Sequence, residues 1–154
     1  MPLTQAEADV LLRMAKVFAV ADELEFSQTQ PMRYARVLLS DDRREEFLLD
    51  IERGRRNRAR LRYQTRARRV VILARLDLDG PAHVNPPDAP HRPGERLDCP
   101  HLHRFVEGFE DRVAYPIGEA PGLQIRDPKD GVSCLEDFMR YCGISTWPVI
   151  QFSL

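Results

Sequence analysis

Several things are scarce in this chain, and each scarcity removes a class of protein. Cysteine occurs three times, as Cys99, Cys134 and Cys142, an odd count with no C-x-x-C spacing. That excludes a disulfide framework and the usual paired-thiol zinc motifs. Long apolar runs are missing. None exceeds the five residues of VVILA at 70–74, the size of a strand and far short of the ~20 residues of a membrane span. The N-terminal MPLTQAEAD is acidic and lacks the basic, apolar and cleavage regions of a secretion signal. These absences predict a cytoplasmic protein with no membrane partner. There is no Gly-rich phosphate loop, no G-x-S-x-G, no H-E-x-x-H and no helix-turn-helix signature. What is left, 154 residues with 43% apolar and 31% charged side chains, fits one globular domain over residues 1–154.

Acid is missing from one stretch in particular. Between Arg53 and Arg75 there are ten arginines and no aspartate or glutamate. The rest of the chain carries 13 basic and 24 acidic residues, a balance of 13 − 24 = −11. A basic block on an acidic body suits a nucleic-acid backbone or an acidic protein partner. With 21 arginines against two lysines, a compositional preference explains the choice of cation. It does not explain the missing acids.

The local patterns predict an α+β fold. Thr4 and Glu7 form a capping box, and Val10, Leu11, Met14, Val17 and Phe18 then recur at helical spacing, giving a helix to about Ala21. Leu24–Gln28 and Met32–Leu39 flank a turn and read as a hairpin. Phe47, Leu49 and Ile51 alternate with Leu48, Asp50 and Glu52, so the strand reading is preferred there over a helix. Leu61, Tyr63 and Thr65 would form one face of the next strand, with Arg62, Gln64 and Arg66 on the other. In 69–80 the face Val70, Ile72, Ala74, Leu76 and Leu78 is apolar, while the opposite face turns polar at Arg75, Asp77 and Asp79. His101–Gly108 and Arg112–Ile117 suggest a last hairpin. Ser133 and Glu136 suggest a second capping box, opening a helix over Cys134–Cys142, and Trp147–Phe152 an apolar tail packed on the sheet. The prediction is a single antiparallel twisted sheet of about five to seven strands, with an N-terminal and a late C-terminal helix.

Histidine is scarce but concentrated. All four, His83, His91, His101 and His103, fall within 21 consecutive residues. The segment 80–100 also holds six of the twelve prolines. A long segment without periodicity inside a compact domain points to a functional loop. On a strand His101 and His103 share a side, with Cβ atoms roughly 7 Å apart. Three readings follow. In the first, His101 and His103 are the acid/base pair of a metal-independent ribonuclease, with His83 and Arg75 positioning the phosphate. Arg62, Arg66 and Arg68 would then contact the RNA backbone and Tyr63 could stack on a base. In the second, Cys99, His83, His101 and His103 bind zinc. In the third, the histidines only satisfy loop carbonyls, and Arg75 with Asp77 is a plain ion pair.

The segments FLLDIERG (47–54), RLDLDGPAHVNPPD (75–88), PHLHRFVEG (100–108) and DFMRYCGI (137–144) resemble a poorly characterised family of short bacterial and prophage-borne proteins. His83-x-Asn85-Pro86 and Pro100-His101-Leu102-His103 are the most specific parts. The chain departs from that pattern at Asp79, where Asn is common, and by extra residues between Asp88 and Cys99, around His91. The same wording is similar to small toxins of toxin–antitoxin loci, which implies an RNA-directed toxin held by an antitoxin. Prophage origin also implies an alternative without chemistry, an inhibitor or accessory binding protein of phage–host conflict, including the anti-CRISPR type.

Overall fold

Alternation of polar and apolar residues through the middle of the chain builds one antiparallel sheet in the computed structural model, which describes residues 2–21, 23–56 and 60–153. Arg58, one of the ten arginines of the acid-free stretch, lies outside the described residues. In chain order the elements are α1 (Gln5–Arg13), β1 (Lys16–Phe18), β2 (Leu24–Ser27), β3 (Met32–Ser40), β4 (Glu46–Arg53), β5 (Leu61–Ala67) and β6 (Val71–Asp77). Then follow β7 (His83–Val84), β8 (Arg96–Leu97), β9 (His101–Arg104), β10 (Ala114–Pro116), α2 (Gly131–Tyr141) and β11 (Ile150–Ser153). The seven-stranded sheet runs β1-β3-β4-β5-β6-β9-β10, antiparallel at every step. Two small pairs accompany it, β2 with β11 and β7 with β8. The fold is α+β, as the sequence predicts, and no described helix is long and apolar enough to cross a membrane.

One face of the sheet is the core. Phe47, Leu49 and Ile51 of β4, Leu61, Tyr63 and Thr65 of β5, and Leu76 and Leu102 are all buried there. Period-two alternation delivers them to one side. The helices cover this side: α1 buries Ala8, Leu11 and Leu12, and α2 buries Val132, Leu135, Phe138 and Met139. The Thr4–Glu7 capping box forms as expected.

Four expectations are corrected. Helix α1 stops at Arg13, and Val17 and Phe18 pair with β3 instead. The cause is Lys16, whose ammonium donates to the carbonyls of Leu11, Leu12, Met14 and Cys142 at 2.7–2.9 Å. It closes the end of α1 against the end of α2 and lies 4.5 Å from the centre of the Phe47 ring. Burial pushes its pKa down to about 8. The N-cap of α2 is Asp130 rather than Ser133, its carboxylate accepting from the Val132 N–H. Next, β2 and β3 form no hairpin, because β2 pairs in parallel with β11, leaving Val149 and Phe152 of the tail exposed. Finally, β6 has a register shift opposite Thr65 and Arg66, which turns Leu73 inward and leaves Val70 exposed. A bulge shifts the phase of alternation, which a simple count by twos does not register.

Candidate metal centre

The second face of the sheet is polar, and its pairing gives part of the acid-free block its counter-charges. The acids come from β4 and the turn before it. Arg62 meets Glu52 at 3.2 Å, and Arg66 holds both oxygens of Asp50 at 2.6 and 2.8 Å. Arg68 pairs with Glu45 at 3.8 Å and Arg69 with Glu46 at 3.6 Å. Four of the ten arginines are thus matched by acids of the neighbouring strand and turn.

The same face continues to β6 and β9, where register places Arg75 opposite His103 and Asp77 opposite His101. Loop 80–100 folds over the rings. Asn85 pins it down: its side-chain oxygen accepts from the Ala114 N–H at 2.8 Å, and its amide donates to the Ala114 carbonyl at 3.0 Å. His101 is 0% and His103 2% exposed.

Hydrogen bonds fix the ring orientations. His101 Nδ1 lies 3.2 Å from the Asp98 carbonyl, and His103 Nδ1 lies 2.9 Å from that of Asp111. A carbonyl only accepts, so each Nδ1 carries the hydrogen and each Nε2 of a neutral ring turns a lone pair outward. Both Nε2 atoms stand near one oxygen. His101 Nε2 is 3.3 Å and His103 Nε2 3.5 Å from Asp77 Oδ2. The donor atoms of Asp77, His101 and His103 all lie within 4.8 Å of one another. Ligands about 2.1 Å from a tetrahedral ion stand about 3.4 Å apart, so two edges of such a site are already in place.

Arg75 flanks this cluster. Its Nε and Nη2 donate to the Asp77 carboxylate at 2.9 and 3.2 Å, and Nη2 lies 3.0 Å from His103 Nε2. Burial raises the Asp77 carboxyl, but hydrogen bonds from His101 and His103 and the Arg75 charge outweigh it and hold the group well below the usual carboxylate range. His83 sits against the pair, its ring centre 4.5 Å from that of His103, with Nε2 donating to the Arg112 carbonyl at 2.8 Å. Desolvation lowers its pKa.

The structure brings His101, His103, His83 and Arg75 together, and separates the others. Tyr63 lies on the helix-covered face, fully buried, with its hydroxyl donating to the Gly131 carbonyl at 2.6 Å. His91 stacks on Tyr115 and meets Glu119 at 3.0 Å, outside the cluster. Cys99 Sγ is 3.8 Å from His101 Nδ1, the nitrogen turned away from Asp77, and burial pushes its thiol up to about 11. The donor set expected from sequence therefore changes: Asp77 joins the two histidines, while His83 and Cys99 stand outside the converging group.

The chain belongs to a family of unknown function (DUF6978), which matches residues 3–144. No curated protein and no solved structure matches it.

Proposed function

We propose that this is a cytoplasmic zinc-binding protein whose ion is held by Asp77 Oδ2, His101 Nε2 and His103 Nε2. One observation carries this reading. Three potential ligand atoms, Asp77 Oδ2, His101 Nε2 and His103 Nε2, converge within 4.8 Å of one another beneath the surface of the fold. A cation among them takes a lone pair from each. The carbonyls behind each Nδ1 provide the outer hydrogen bonds that orient metal-binding imidazoles. Two imidazoles and one carboxylate suit zinc and leave one position open.

The ribonuclease expectation asks more of the geometry. RNA would have to reach two buried rings, and the arginines meant for its backbone already hold Glu52, Asp50 and Glu45. An interaction role in phage–host conflict, or an antitoxin partner, draws on none of the distances at the cluster. The metal reading uses three converging donor atoms and asks only that Arg75 Nη2 give up its contacts with Asp77 Oδ2 and His103 Nε2.

The test is elemental analysis of untagged protein. About one zinc per chain is expected, falling to background in the His101→Gln/His103→Gln double variant. Protein that carries no zinc, and takes up none on dialysis against it, removes the proposal. Iron in place of zinc would keep the ligands and change the ion.

A further inference from the structure

Resting on the zinc reading, we infer that Arg75 and the bound ion together form a site for a phosphate-type oxyanion. Arg75 Nη2 lies 3.2 Å from Asp77 Oδ2 and 3.0 Å from His103 Nε2, two of the three donor atoms. Those separations are close to the ~3.4 Å edge of a tetrahedral zinc site. The guanidinium therefore borders the Asp77–His103 edge of the site. When the ion takes Asp77 Oδ2 and His103 Nε2, Nη2 loses both acceptors. Among the described residues Nη1 meets only Asp111 Oδ2, at 3.9 Å, beyond hydrogen-bond distance. Nε keeps Asp77 Oδ1 at 2.9 Å, which holds the fork in place.

The loaded site thus presents an electrophilic ion next to a cationic fork with two nitrogens short of acceptors. A ligand that satisfies both needs one oxygen for the ion and two for the fork. A phosphate group offers three, and arginine binds phosphate oxygens in pairs. A carboxylate has only two oxygens to divide among three positions. The approach is from the Arg75–Asp111 side, where the side chains are 20% and 31% exposed, while His101 and His103 form the closed wall.

Reciprocal linkage gives the test. Cobalt, as a visible stand-in for zinc, is titrated into metal-free protein with and without saturating phenyl phosphate. In wild type the phosphate is expected to tighten cobalt binding about 10-fold, within the usual range of such couplings. In Arg75→Met, cobalt still binds and the phosphate effect vanishes. Cobalt binding that ignores phenyl phosphate in wild type overturns this inference and leaves the zinc reading standing. An equal phosphate effect in Arg75→Met also overturns it, because the anion would then bind the ion alone. No cobalt absorption in wild type removes the zinc reading itself, and the oxyanion site with it. The wild-type arm decides even if the variant folds poorly.

Discussion

Asp77→Asn is expected to cost the metal-free protein about 3–5 kcal/mol, the usual loss when one partner of a buried charge group is removed. Asp77 is 16% exposed and answers three groups at once: Arg75 at 2.9 and 3.2 Å, His101 at 3.3 Å and His103 at 3.5 Å. Asparagine keeps the shape and removes the charge, so the Arg75 guanidinium loses its compensating anion. Against a typical total stability of about 5–15 kcal/mol, that loss is large. The effect has a pH signature. The folded-state pKa of Asp77 lies below its ordinary value of 3.8, so its contribution is present above that value and is lost as pH falls below it. Urea unfolding of wild type and variant should therefore differ by a steady amount near pH 7, and the gap should begin to shrink as pH falls below 3.8. A gap under about 1 kcal/mol at pH 7, or one that does not shrink in acid, would show that Asp77 does not organise the cluster.

Lys16→Met should be nearly as damaging, far from the site. Methionine keeps the aliphatic length and removes the ammonium that serves the carbonyls of Leu11, Leu12, Met14 and Cys142. At about 1 kcal/mol for each carbonyl left without its partner, the low end of the range, the loss is on the order of 4 kcal/mol. Both helix ends should loosen, because they approach backbone to backbone there. A Cβ placed on Gly143 would stand 2.6 Å from the Met14 carbonyl oxygen. Urea denaturation at pH 7 reads the effect directly, and a change under about 1 kcal/mol would mean that the carbonyls find other partners.

The strands of the central sheet were legible because alternation is a local property. Phe47, Leu49 and Ile51 declare a buried face, and Arg62, Gln64 and Arg66 an outer one, without knowledge of any neighbour. What failed was non-local. The end of α1 depends on Lys16 meeting Cys142, 126 residues further along the chain. The partner of β2 is β11, at the far terminus. The acids that pair with Arg62, Arg66, Arg68 and Arg69 belong to β4 and the turn before it, so a composition window over 53–75 could only show half of each ion pair. At the site, the histidine pair and Arg75 were visible from spacing, and Asp77 was visible only as an ion-pair partner of Arg75. Its meeting with His101 requires the β6–β9 register. The backbone carbonyls of Asp98 and Asp111, which set the two ring orientations, carry no side-chain signal at all.

The central claim is that Asp77, His101 and His103 converge on one ion. X-ray absorption at the zinc edge of the loaded, untagged protein tests it most directly. The account predicts a first shell of nitrogen and oxygen only, at about 2.0–2.2 Å, with the outer scattering of two imidazoles. A sulfur neighbour at about 2.3 Å would place Cys99 in the shell and contradict it, as would a protein that holds no zinc to measure.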